Sequence, residues 1–156
     1  IAREVGCSIV EARDLLEDFA RKFPAVGRYK RQVISDCRRR TPIPYVSTIL
    51  KRRRFLPELR AKDQYLRARA ERQAFNTIIQ GSAADLIKVA MVRAQAMIPQ
   101  GAELILTIHD ELVTVTPDHL AEETMEAIRQ AMEGINILSV PLIADVKIVS
   151  RWGEAK

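Results

Sequence analysis

Glu103-Leu104-Ile105-Leu106-Thr107-Ile108-His109-Asp110-Glu111-Leu112-Val113-Thr114-Val115 sets three consecutive ionisable residues between two apolar, β-prone runs. Runs of that length and composition predict two strands, and the polar triplet between them predicts the turn of a β-hairpin. Carboxylates at such a tip can be presented to a metal ion. Adjacent side chains on a strand point to opposite faces, so Asp110 and Glu111 need not share one ligand. Two-metal phosphoryl transfer wants carboxylates from separate strands, converging on ions about 3.5–4 Å apart that activate a hydroxyl nucleophile and neutralise phosphate charge. One hairpin turn supplies part of that set, and His109-Asp110-Glu111 taken alone reads more readily as a polar turn.

Downstream, Pro117-Asp118 stops the hairpin and Asp118 is placed to cap a helix through about Met132, with Leu120, Thr124, Ile128 and Ala131 at helical spacing. Pro141 to Val149 alternates through Leu142, Ala144, Val146 and Ile148, which predicts a half-buried strand beside the hairpin. Upstream, Asp63 to about Ile98 is helical by composition, and Gly81-Ser82 predicts a break into two helices near Gln80. Ser8 and Glu11 have capping-box spacing ahead of a helix that ends at Phe23-Pro24 and carries Ile9, Ala12, Leu15, Leu16, Phe19 and Ala20 on one face. A further helix from Pro24 to Arg40 directs Val26, Tyr29, Val33 and Ile34 inward, until Thr41-Pro42-Ile43-Pro44 ends it. Tyr45 to Leu50 and Phe55-Leu56 read as short extended pieces around Lys51-Arg52-Arg53-Arg54, a turn with four positive charges. The expected class is α+β: one compact unit over residues 1–156, helices packed against a small antiparallel sheet.

At 156 residues and 47% hydrophobic composition the chain can bury one core. Its net charge of +5 conceals a division. Ile1 to Arg72 holds 19 Lys/Arg against 9 Asp/Glu, whereas Gln73 to Lys156 holds 6 against 11. The first part suits a polyanion and the second divalent cations. Cys7 and Cys37 lack metal-ligand spacing and follow no secretory signal, so reduced thiols in an intracellular protein are expected. No apolar run approaches the roughly 20 residues of a membrane span, and a soluble chain with no membrane partner is expected. The start at Ile1 rather than Met predicts a piece of a longer protein.

Arg72, Asn76 and Gln80 fall at i, i+4 and i+8, one stripe that drifts by about 80° over two helical turns. All three donate hydrogen bonds. The minor groove offers purine N3 and pyrimidine O2 as acceptors in every base pair, so such donors can test pairing geometry without reading sequence. A solvated polar stripe is the plainer alternative. Phe75, Ile78 and Ile79 are core in either case. Lys51 to Arg54, with Arg28, Lys30, Arg38, Arg39 and Arg40, can contact phosphates or form a solvated face. Asp85, Lys88 and His119 read as surface residues.

Read together, Arg69-Ala70-Glu71-Arg72-Gln73-Ala74-Phe75-Asn76, Gln80-Gly81-Ser82-Ala83-Ala84-Asp85-Leu86 and Ile108-His109-Asp110-Glu111-Leu112 resemble, in order and spacing, the C-terminal palm region of family A DNA polymerases. The resemblance runs over nearly the whole chain to Arg151-Trp152-Gly153-Glu154, and Ala70 to Asp85 looks closest to the theta and nu branch. It implies the end of the fingers and part of the palm of a DNA-directed DNA polymerase that extends a primer 3′ end with deoxynucleoside triphosphates and two Mg²⁺ ions. Asp110 then looks like the palm aspartate that binds Mg²⁺, Glu111 its support, and His109 a neighbour of the primer terminus. Arg72, Asn76 and Gln80 match positions that contact the minor groove or the incoming pair, and Arg52, Arg53 and Arg54 a DNA-contacting turn. The family's other metal-binding aspartate, its nucleotide-binding fingers helix and its thumb would lie upstream of Ile1, so the remainder of the polymerase is an implied partner and the isolated 156 residues are expected to be inactive.

Two departures stand out. Lys51 occupies the position where relatives usually have Gly, which puts the backbone of the basic turn in question because a non-Gly residue resists positive φ. Thr41-Pro42-Ile43-Pro44 looks like a small insertion. A non-catalytic nucleic-acid-binding remnant is the alternative function, and a metal-dependent nuclease using Asp110 and Glu111 a further one. The expected location is inside the cell, with DNA.

Overall fold

The computed structural model describes residues 2–154, so Ile1, Ala155 and Lys156 of the expected 1–156 unit lie outside the described residues. Where the sequence predicts one compact unit, contacts gather the chain into two, Ile1–Ile79 and Gln80–Lys156. Residues 73–79 carry no charge, so this division coincides with the charge division. The class is α+β, with two separate two-stranded antiparallel sheets among helices.

The first unit opens with α1 (Ala2–Val5) and α2 (Ile9–Lys22). The capping box before α2 is formed: the Ser8 N–H donates to Glu11 Oε2 at 2.8 Å, and the Glu11 N–H donates to Ser8 Oγ at 3.2 Å. The expected apolar face of α2 is present in sequence, but only Ala12 on it is buried. Helix α3 (Pro24–Arg39) starts on proline, whose missing N–H costs nothing there, and stops before the Thr41–Pro44 segment as predicted. It buries Val33, Ile34 and Cys37, whereas Val26 and Tyr29, expected inward, are 41% and 50% exposed. The Tyr29 ring instead meets Phe75 edge-on at 6.2 Å.

Arg60 ties off the end of α3. Its guanidinium donates to the carbonyls of Arg38 at 2.8 Å, Arg40 at 2.9 Å and Pro42 at 3.2 Å, all groups that a helix end and a proline-rich exit leave without main-chain partners. Arg38 in turn donates to the Leu59 carbonyl and pairs with Glu71. These bonds fix the exit so that β1 (Tyr45–Ser47) and β2 (Arg53–Phe55) can pair, with Val46 opposite Arg54. Val33, Cys37, Val46, Leu56, Leu59, Ala70 and Ala74 form the core of this unit, with Ile78 packed on it; Ile79, expected there, is 54% exposed.

Helix α4 (Gln64–Met97) is unbroken over 34 residues, contrary to the predicted break near Gln80. One glycine costs a helix roughly 1 kcal/mol relative to alanine, which the hydrogen bonds of the turns on either side of Gly81 absorb.

In the second unit, β3 (Glu103–Ile108) and β4 (Glu111–Val115) form the predicted hairpin, with one residue, Ile105, bulged out of register. Asp118 heads a short 3₁₀ turn (Asp118–Leu120) rather than capping α5 (Ala121–Glu133), whose cap residue is Leu120 with no side-chain bond. Thr124, Ile128 and Ala131 are its buried face, as predicted. Arg93 on α4 donates to the Ala131 carbonyl at 3.1 Å, and at the helix end a Cβ on Gly134 would come within 2.4 Å of the Arg93 guanidinium and 2.7 Å of the Gln130 carbonyl oxygen.

Residues 141–149 do not form the predicted strand. The alternation survives in burial, with Leu142, Ala144 and Val146 partly covered and Ile143 exposed, but no ladder partner lies alongside among the described residues. Alternation reports a two-faced segment, whereas a strand also needs a neighbour's N–H and C=O groups. One such bond goes to a side chain, from the Ala144 N–H to Glu133 Oε1 at 2.9 Å.

Truncating Leu59, 1% exposed, to alanine is expected to cost about 2–5 kcal/mol, while Ile79→Ala changes stability by about 0.5 kcal/mol or less; denaturant unfolding of both variants checks the contrast. The Ser8 hydrogen bonds hold the Glu11 carboxyl below its ordinary pKa, the main-chain bond being the larger cause. Its contribution is therefore present above the ordinary carboxylate pKa and lost as pH falls through the depressed one. Amide exchange at Ser8 should accelerate there, and Glu11→Gln should remove that acid dependence.

Candidate functional site

Ile108 pairs with Glu111, so the acidic hairpin closes with a loop of two residues, His109 and Asp110. Strands with the natural right-handed twist accept a two-residue loop only when its first residue, or both, has positive φ. His109 has φ +54°, and Asp110 is not among the positive-φ residues. That sign pattern belongs to a type II′ turn, whose first loop position is normally glycine. The tip is exposed at His109, Asp110 and Glu111 alike, so the carboxylates stand clear of the aliphatic strand residues. Sequence reading found the hairpin and its tip but not the left-handed residue.

The basic hairpin of the first unit is built by the same logic. The Lys51 N–H donates to the Thr48 carbonyl at 3.0 Å, the Thr48 N–H to the Arg52 carbonyl at 3.0 Å, and the Arg52 N–H to Thr48 Oγ1 at 3.2 Å. Thr48, buried, thereby locks a loop of Ile49, Leu50 and Lys51, and the lock forces Lys51 to φ +67°. Lys51 thus takes the positive φ although it carries a side chain. The four charges are not all in the turn: Lys51 and Arg52 are, while Arg53 and Arg54 lie on β2. Arg54 Nη1 donates to Thr77 Oγ1 at 3.2 Å, which ties β2 to α4. Arg53 and Arg40 hold their guanidinium carbons 4.9 and 4.4 Å from the centre of the Tyr45 ring, a cation–π pair that sequence reading missed. Stacking occupies a guanidinium's face and leaves its N–H edges free for anions.

Arg72, Asn76 and Gln80 are all exposed on α4. The buried side of the same turns carries Ala70, Ala74 and Thr77. Asp85, expected on the surface, is 2% exposed, and among the described residues no buried side-chain polar atom lacks a partner. Lys88 and His119 are exposed as expected.

Carboxylates suit a hard dication such as Mg²⁺, and the donor set at the tip fits one end of such a site. Among the described residues no three His, Cys, Asp or Glu side chains gather as a cation cage. Among the described residues, too, no helix is long and apolar enough to cross a membrane.

Comparison with known proteins adds an independent finding. The sequence profile of DNA polymerase family A matches residues 1–154. The thermostable DNA polymerase I of Thermus aquaticus is 38% identical over 157 residues, and DNA polymerase I of Streptococcus pneumoniae 36% over 159. Each alignment takes in 100% of this chain, which spans 18% of the length of these relatives. These relatives are bacterial, where the sequence reading looks to the theta and nu branch. Among solved structures, the POL domain of Pol1 from M. smegmatis, in complex with DNA primer-template and dNTP, superposes with a TM-score of 0.79 at 37% identity, covering 90% of this chain and 25% of that one.

Lys51→Gly should stabilise the fold by about 0.5–1 kcal/mol, because an L-residue resists the left-handed region and glycine does not. A denaturation midpoint that falls would contradict this account of the loop.

Proposed function

The chain belongs to DNA polymerase family A, and on that premise we propose that it forms the end of the fingers and the C-terminal part of the palm of a template-directed DNA polymerase acting inside the cell. The observation that carries this reading is the exposed carboxylate tip on a closed two-residue turn, in a chain matched by the family over residues 1–154. Primer-template DNA and deoxynucleoside triphosphates are the substrates by analogy with the M. smegmatis complex. In the reaction a primer 3′-hydroxyl attacks the α-phosphate of the triphosphate and pyrophosphate leaves.

Each element then has a role. Asp110 holds Mg²⁺ together with a carboxylate from the rest of the polymerase, and Glu111 supports it. Bound there, two Mg²⁺ ions would activate the hydroxyl and offset charge on the triphosphate. His109 would lie near the primer terminus. Arg72, Asn76 and Gln80 donate to the minor-groove acceptors common to all base pairs, so a correct pair is recognised by shape. Arg52, Arg53 and Arg54 face phosphates, which fix register without reading sequence. Charge supports this division of labour, since the unit with the arginine hairpin is net positive and the unit with the acidic tip net negative.

Asp110→Ala in the full-length polymerase should lower primer extension at least about a hundred- to a thousand-fold, the scale seen when an electrostatic stabiliser of a transition state is removed, with DNA affinity nearly unchanged. Retained turnover in a steady-state extension assay would overturn the assignment. Asn76→Ala or Gln80→Ala should lower extension efficiency about 2–10-fold, the equivalent of one hydrogen bond. Primer extension by the isolated 156 residues should be undetectable.

A further inference from the structure

Only two non-glycine residues among those described have positive φ, Lys51 at +67° and His109 at +54°, and each sits in the loop of one of the two hairpins. They differ in what enforces them. Three hydrogen bonds to Thr48 lock the Lys51 loop from within. At the acidic tip the constraint comes from the strands alone: Ile108 opposite Glu111 leaves two residues to reverse the chain, and strand twist demands positive φ at the first of them. The residue that must adopt this conformation immediately precedes Asp110, so its φ sets where the Asp110 Cα–Cβ bond departs from the tip.

We propose that His109 is a positioning residue that acts through its main chain: by accepting positive φ it fixes the direction of the Asp110 carboxylate. The inference rests on the reading of Asp110 as a ligand of the catalytic dication. Three observations carry it. The residue next to the carboxylate lies in a sparsely populated backbone region, and such outliers persist only where the surrounding structure over-determines them. A type II′ turn normally places glycine there, so a residue with a side chain holds this angle against its own preference. Among the described residues the His109 imidazole makes no hydrogen bond, ion pair or ring contact, so nothing in the fold depends on the ring.

A replacement series in the full-length polymerase separates main chain from ring. H109G accepts positive φ and lacks the imidazole, H109N lacks the imidazole but keeps a Cβ, H109A likewise resists the angle, and H109V resists it most because its branched Cβ crowds the backbone. Mn²⁺ alone, titrated into each protein without DNA and followed by electron paramagnetic resonance, reads the metal site independently of turnover. The expected order of affinity places H109G within about threefold of the parent, and H109V weaker by about 10–100-fold, the usual effect of misdirecting a metal ligand. H109N and H109A fall between them. If H109G weakens Mn²⁺ binding as much as H109V, the ring is what matters and the proposal is overturned; so it is if all four variants bind like the parent. H109G cannot fail through strain at this position, which keeps the outcome decisive even if H109V misfolds. D110A is the control for the reading beneath it. Unchanged Mn²⁺ affinity in D110A removes Asp110 from the metal site, whereas weakened D110A binding with a flat His109 series removes only the positioning role.

Discussion

Closure of the β3–β4 hairpin over two residues is the constraint on which the candidate chemistry depends. With Ile108 paired to Glu111, the chain must reverse within His109 and Asp110, and it does so with an imidazole residue at φ +54°. A longer loop would have relaxed that angle and let the carboxylate wander, since each added loop residue brings further soft dihedrals. The bulge at Ile105 belongs to the same economy. It takes up one extra residue on β3, adding twist to a hairpin whose far end must meet a tight turn.

The two charge populations are kept on different units, yet both units share one helix. The uncharged residues 73–79 lie within α4, where the two units meet in sequence. Within the positive unit, arginines are structural before they can be anything else: Arg60 closes α3, Arg38 reaches the Leu59 carbonyl and Glu71, Arg54 ties β2 to α4, and Arg40 and Arg53 both lie against the Tyr45 ring. A count of positive charges therefore overstates the cations available to a ligand. Of the two that stack, Arg40 also donates from Nη1 to the Tyr45 carbonyl at 3.1 Å, while Arg53 is exposed, so a structural and a binding role are compatible in the Arg53 side chain.

Much of this was legible in the residues because local rules suffice for it. The capping box at Ser8 and Glu11, the proline-led α3, the hairpin around Asp110 and the buried face of α5 follow from spacing and propensity alone. The misreadings share one cause, a local signal that tertiary context overrides. Gly81-Ser82 is a weak breaker inside a long helix, and Leu142 to Ile148 has strand alternation without a ladder partner. Asp85 looks like a surface carboxylate until the position it occupies on α4 is known to be covered. The left-handed angles at Lys51 and His109 were out of reach for another reason: backbone sign follows from which residues pair across a hairpin, and that register is not written in composition. For the candidate site itself, the tip and the donor stripe were legible in sequence, while the Thr48 lock and the cation–π contacts at Tyr45 were not, since both join residues that no pattern marks as neighbours.

An unbroken α4 also makes its donors a ruler. At 1.5 Å of rise per residue, the eight positions from Arg72 to Gln80 span about 12 Å, a length that cannot stretch or shrink while the helix is intact. Stacked bases rise about 3.4 Å per step along each strand, so the same distance corresponds to some three to four base pairs. Under the proposed function, a duplex laid along this edge would be gauged as a short stack, with a distortion several steps behind the newest pair felt on the same rod as an error at the growing end.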